Sequence, residues 1–223
     1  MDRPAVDTHR DTHHTPVMQN SLPFLTFTGG IAETNGYFLP TDNGGILIDA
    51  PDGVAAWLAA QGKHATHLLL THQHFDHVMD AAALQETGTK IHAFAGYDAK
   101  LTLEHVTRSW GMPNVRTYRV DALLSVDQPW QCDGVTLSLA HVPGHSPDSL
   151  TFYHSDSATL FSGDTLFQHS IGRTDIPEHG NHRLLLQGIR EKILSLPADT
   201  VVYPGHGGST TIGREIRSNP YLV

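Results

Sequence analysis

Apolar positions along this chain fall into short runs separated by polar turns, with a few longer stretches of helical spacing between them. A short apolar run bounded by turn residues reads as a strand. Phe24 to Thr28 alternates apolar and polar residues and predicts the first one. Tyr37-Phe38-Leu39 and Ile46-Leu47-Ile48 flank a polar segment containing Asn43-Gly44, which predicts a hairpin. Further strands are expected at His67–Leu70, Lys90–Phe94, Val135–His141, Leu150–His154, Thr159–Phe161 and Val201–Tyr203. Helical spacing appears over Val54–Gln61 and Val78–Glu86, the latter stopped by Gly88. It also appears over Asp98–Val106, with Asp98 as cap, and over Arg183–Leu196. That last helix should bury Leu184, Leu185, Ile189, Ile193 and Leu196. Residues 108–131, with Pro113 and Pro129 among scattered charges, read as loops.

Strands therefore come both in runs and in alternation with helices, in two comparable halves. Two sheets packed face to face with helices outside satisfy that pattern. No repeat period or long linker divides the chain. We expect a polar N-terminal extension over residues 1–20, where no apolar periodicity appears, followed by one domain over 21–223.

Composition narrows the functional classes. A chain of 223 residues with 39% hydrophobic content can bury a real core. The formal charge of −9, with only four lysines, offers no electrostatic footprint for nucleic acid or an anionic membrane. No apolar run approaches the ~18 residues of a spanning helix. The N-terminus lacks a signal-peptide pattern, and Cys132, the single cysteine, cannot form an internal disulfide, so the cytoplasm is the expected location. The compositional anomaly is seventeen histidines.

Those histidines are not spread evenly. Thr71-His72-Gln73-His74-Phe75-Asp76-His77 puts three imidazoles and a carboxylate directly after the strand ending at Leu70. Strand carboxyl ends are where α/β folds place ligand sites, and neutral imidazole with carboxylate suits zinc or iron. A solvated His-rich loop is the competing reading. Three later positions repeat the logic: His145, Asp164 and His206 each follow a predicted strand and each is preceded by a glycine. Glycine lets the chain turn sharply into a crowded centre. Asp49, at the end of another strand, is expected to support one of the ligand histidines. His92, His105 and His141 are read as ordinary residues.

His72-x-His74-x-Asp76-His77, followed by His145, Asp164 and His206, resembles the signature of the metallo-β-lactamase superfamily, over nearly all the chain from about residue 21. The resemblance implies an α+β fold, a four-layer αββα sandwich, with two divalent metal ions (zinc, iron or manganese) between the sheet edges. It assigns His72, His74 and His145 to the first metal and Asp76, His77 and His206 to the second, with Asp164 bridging. Ser162 to Phe167, Ile171 to Asp175 and Pro204 to Pro220 are similar to segments of glyoxalase II, of the short bacterial type that lacks a helical substrate domain. Asp148 departs from that pattern, a glycine being usual there, and puts the local loop shape in question.

The resemblance implies a small-molecule substrate, a glutathione thioester such as S-lactoylglutathione, hydrolysed by a water that the metals activate. Asp76 would orient that nucleophile, and Arg214 and Arg217, three apart on a helical face, would anchor the glutathione carboxylates. Surface ion pairing is the plainer role for both arginines, as it is for Arg173 with Asp175. A mononuclear-iron persulfide dioxygenase shares the histidines and is the alternative, as is hydrolysis of another small ester or thioester. A nucleic-acid-processing relative would need an added domain and positive charge, and a non-catalytic scaffold would not need seven complete ligands. Oligomeric state does not follow from the sequence.

Overall fold

The computed structural model describes residues 22–111 and 114–223; the polar extension over 1–20 lies outside the described residues. The first sheet begins as an antiparallel meander of β1 (Leu25–Gly29), β2 (Thr34–Thr41) and β3 (Gly44–Ile48). It continues in parallel through β4 (His67–Leu69), β5 (Lys90–Ala93) and β6 (Ala122–Leu123). The expected hairpin pairs Thr41 with Gly44, so its strands run closer to the turn than their apolar cores indicate. The second sheet has the order β14-β13-β10-β9-β8-β7, built from β7 (Trp130–Cys132), β8 (Val135–His141), β9 (Leu150–His154), β10 (Thr159–Gly163), β13 (Val201–Pro204) and β14 (Thr210–Thr211). A small hairpin of β11 (Leu166–Phe167) and β12 (Ser170–Ile171) stands apart.

Three apolar clusters define the layers. Tyr37, Leu39, Ile46, Ile48 and Leu69 from the first sheet meet Leu137, Leu150, Phe152 and Phe161 from the second. The outer face of the first sheet is covered by α1 (Val54–Ala60), α2 (Phe75–Val78) and α3 (Ala81–Glu86) through Val54, Leu58, Val78 and Leu84. The outer face of the second is covered by α5 (His182–Gly188), the π-helical turn Ile189–Ile193 that extends it, and α6 (Ile212–Ser218). Helix, sheet, sheet and helix give the expected αββα sandwich. Each fully buried large side chain, such as Phe152 or Ile48, contributes about 1.5–3 kcal/mol. No helix among the described residues is long and apolar enough to cross a membrane.

Several local expectations are corrected. The helix expected over Val78–Glu86 starts earlier and is broken between α2 and α3. There the Asp80 N–H bonds the Ala50 carbonyl at 3.0 Å, and its carboxylate accepts from Ala55 N at 2.8 Å. Asp98 does not cap a helix: its carboxylate accepts from Lys100 N, two residues on, and closes a turn instead. Leu103 then takes a φ of 59°, so only α4 (Glu104–Thr107) and a short 3-10 turn follow. The helix over 182–193 turns Leu185 and Ile189 inward and leaves Leu184 exposed. Its Asn181 side chain caps Leu184 N, and Gly188 permits close approach to Val142. Residues 108–131, read as loops, contain β6 and most of β7, strands too short to leave a periodic signal.

Candidate metal centre

The seven expected ligands converge at one edge of the sandwich, where both sheets end. His72 and His74 follow β4, Asp76 and His77 sit in the first turn of α2, and His145, Asp164 and His206 follow β8, β10 and β13. Backbone bonds pin these loops together: Asn35 N to Gly205 O at 2.7 Å, Gly205 N to Gly163 O at 2.9 Å, and Leu150 N to Thr71 O at 2.7 Å. Three groups have potential ligand atoms within 4.8 Å of one another: His72, His74 and His145; His72, His77 and Asp164; Asp76, His77 and His206. The glycines before the ligands are required by this crowding. Gly163 has a φ of 49°, and a Cβ there would lie 2.6 Å from Thr71 Oγ1. Arg214 and Arg217 are not brought into the cluster; both are exposed on α6.

The donor set fits metal ions. Nε2 of His72, His77 and His145 and Oδ1 of Asp164 are buried with no hydrogen-bond partner. Leaving such atoms unsatisfied costs about 1–3 kcal/mol each. The spacing of the donors also matches. Asp164 Oδ1 stands 3.4 Å from His77 Nε2, and Asp164 Oδ2 stands 3.4 Å from His145 Nε2 and 3.3 Å from His206 Nε2. Two donors on a tetrahedral ion at ~2.1 Å lie ~3.4 Å apart.

Each imidazole is oriented by its other nitrogen. His77 Nδ1 donates to Asp49 Oδ2 at 2.9 Å, His145 Nδ1 to Arg173 O at 2.9 Å, and His206 Nδ1 to Ala32 O at 3.0 Å. His72 Nδ1 donates to Thr71 Oγ1 at 3.1 Å, whose own proton goes to Asp49 Oδ2 at 2.8 Å. Asp49 thus takes the supporting position expected of it, in a left-handed conformation with φ of 59°.

Charge divides the centre. Burial, then neighbouring imidazoles, hold His72 and His74 well below the ordinary histidine pKa. Burial also opposes charge on His206, but hydrogen bonds with Asp164 and Asp76 outweigh it and push its pKa up to about 10. His77 is likewise raised, burial being overcome by Asp76, Asp49 and Asp164. Burial would raise Asp76, yet His77 and His206 bring it down to about 2. His72 and His74 are kept neutral, while the carboxylates opposite draw protons onto His77 and His206.

The family model for the metallo-beta-lactamase superfamily matches residues 29–206. The chain belongs to the metallo-β-lactamase superfamily. It is 39% identical over 159 residues to hydroxyacylglutathione hydrolase GloC of Haemophilus influenzae, covering 70% of this chain and 74% of that protein. Among solved structures, the BLEG-1 B3 metallo-beta-lactamase superposes with a TM-score of 0.81 at 37% identity, over 90% of this chain and 99% of that one. TTHA1623 in a di-iron-bound form gives 0.74 at 35% identity, over 89% and 100%.

As in any hydrolase of this superfamily, the centre must open to substrate. A cavity of about 320 Å³ reaches His74, Asp76, His145, Asp164 and His206, and its wall is mostly apolar: Phe75, Leu103, Val106, Ile176 and Pro177. Arg173 also lines it, but its guanidinium is paired with Asp175 at 2.7 and 2.9 Å. Gln168, oriented with its amide oxygen toward Arg214, accepts from it at 3.1 and 3.3 Å beside a shallow groove formed with His206, Gly207 and Gly208. Asp148 needs no positive φ, so the usual glycine is dispensable. It is instead buried, accepting from Ser146 Oγ at 2.6 Å and Gln73 Nε2 at 3.2 Å, and burial raises its pKa. His92 pairs with His67 at 2.9 Å, and His141 stacks on Phe94, both away from the centre. His179, which no sequence signal marked, is buried with Nδ1 3.0 Å from His74 Nε2.

Proposed function

We propose that the protein hydrolyses a glutathione thioester of the S-lactoylglutathione type at a two-metal centre. The observation that carries this reading is the convergence of seven side chains, four of them with buried, partnerless donor atoms, at the mouth of a mostly apolar cavity. Similarity to the GloC hydrolase of Haemophilus influenzae supports the substrate class. His72, His74 and His145 would hold one ion, Asp76, His77 and His206 the other, with Asp164 between them. Bound divalent ions supply an activated water and polarise the thioester carbonyl.

The chain's own residues do the rest. Thr34 Oγ1 donates to Asp76 Oδ2 at 2.7 Å, leaving Asp76 Oδ1 to orient the attacking water. Held near pKa 2, Asp76 stays an acceptor across the working range. The apolar wall of Leu103, Val106 and Ile176 receives the acyl group and keeps bulk water off the reacting carbonyl. Arg214, with Arg217 one turn further on, would meet the glutathione carboxylates at the groove beside His206. A thiolate leaves readily, so no strong general acid is needed.

The test is an S-lactoylglutathione assay on protein of measured metal content. Turnover that scales with bound metal supports the reading. Oxygen uptake with glutathione persulfide, and no thioester turnover, would replace it with the dioxygenase.

A further inference from the structure

Four of the five imidazoles in the centre share one arrangement. His72, His77, His145 and His206 each send Nδ1 to an oxygen, which fixes the proton there and leaves Nε2 for a cation. His74 is inverted: its Nε2 faces another imidazole, Nδ1 of His179, at 3.0 Å, so Nδ1 is the nitrogen left for the centre. The rings of His74 and His179 stack with centroids 5.2 Å apart and planes 24° from parallel. An oxygen acceptor fixes a tautomer by itself. A ring nitrogen does not, since either partner of an imidazole pair can carry the shared proton.

The centre decides the direction. His72, His74 and His145 offer donor atoms within 4.8 Å of one another, and with Nε2 turned to His179 the atom that His74 has left to offer there is Nδ1. An imidazole nitrogen that binds a cation carries no proton, so His74 Nε2 must hold it and His179 Nδ1 is the acceptor. We propose that His179 is the positioning residue that sets the tautomer of His74 and so presents Nδ1 as its donor atom. The proposal rests on the reading of His74 as a metal ligand.

The loop holding His179 is built for such a task. His179 N bonds Ile176 O at 3.2 Å, Gly180 N bonds the same oxygen at 2.7 Å, and Asn181 N bonds Gly144 O at 2.8 Å. The same loop supplies Arg173 O to His145. One segment therefore orients two of the three imidazoles in the group of His72, His74 and His145.

Long-range proton–nitrogen NMR of the imidazoles in the full-length, metal-free protein tests this directly. Wild-type His74 should carry its proton on Nε2. In His179→Leu that tautomer preference should be lost, and zinc affinity measured by chelator competition should fall about 10–100-fold. His179→Asn, which keeps an acceptor oxygen near the Nδ1 position, should restore both. A wild-type His74 protonated on Nδ1 overturns the proposal without any variant, and so does a folded His179→Leu with unchanged tautomer and zinc affinity. Wild-type protein that keeps the Nε2 proton on His74 but binds no zinc would remove the metal reading and leave the tautomer assignment standing.

Discussion

His72, His74 and His145 face one another with no carboxylate of their own, whereas Asp76 and Asp164 face His77 and His206 across the same few ångströms. On the first side burial prevails and the imidazoles of His72 and His74 are kept neutral. On the second side Asp76 and Asp164, joined at His77 by Asp49, overcome the same burial and hold protons on His77 and His206. The difference teaches that imidazoles alike in sequence build two kinds of candidate cation site. One is a cage of nitrogens; the other is an anionic pocket. Asp164 touches both, through Oδ2 to His145 and Oδ1 to His77.

The largest effect should come from removing that shared group. Asp164→Ala is expected to cut kcat/KM about a thousandfold, the loss of several kcal/mol of metal-derived stabilisation. It should also lower metal content on both sides, measured by elemental analysis. Full retention of both ions would show that the two sides do not depend on a bridge. Asp49→Asn comes next, since asparagine tolerates the left-handed φ of 59° and keeps the shape. Loss of the charged partner of His77 should weaken binding of one ion about 10–100-fold and spare the other, read by stepwise chelator competition. Equal weakening of both would erase the distinction between the sides.

The pH dependence separates them further. A metal must displace the protons held by His77 and His206, so its affinity on the anionic side should rise with pH, about tenfold per unit for each proton released. On the other side His72 and His74 have no proton to release, so the dependence there should be the shallower of the two. Folding of the metal-free protein carries the same signature. The His206 pKa is raised from 6.5 to about 10 in the fold. Its stabilisation is therefore complete below 6.5 and lost as pH rises through about 10, which thermal melting at increasing pH would follow. The smallest effect is expected at the cavity rim. Arg173 and Asp175 are exposed, so Arg173→Ala should shift stability by at most about 1 kcal/mol. A large loss of zinc affinity there would mean that the pair, and not only the Arg173 backbone carbonyl, positions His145.

The layers and the convergence of the seven candidate side chains were legible because both are written locally. Apolar runs mark the strands, and a ligand placed a few residues past a strand end must arrive at the sheet edge, as His72, His145 and Asp164 do. Asp49 was legible for the same reason. The helices misjudged were those with a competing polar partner. Asp80 bonds Ala55 and Asp98 bonds Lys100, and each bond stops helical propagation that propensity alone would favour. Leu184 fits the apolar spacing but lies at the edge of the buried face, a rotation settled by packing against Val142 and by the Asn181 cap.

Taken alone, the sequence determined which donor atoms exist and that each follows a strand, because strand period and ligand placement are short-range properties. Only the tertiary structure decided which nitrogen of each imidazole faces the centre and which side carries charge. Those choices depend on partners distant along the chain: Ala32 lies 174 residues from His206, and His179 lies 105 from His74. A hydrogen bond across such a separation leaves no periodic trace in the sequence, yet it fixes the tautomer on which the chemistry of the centre depends.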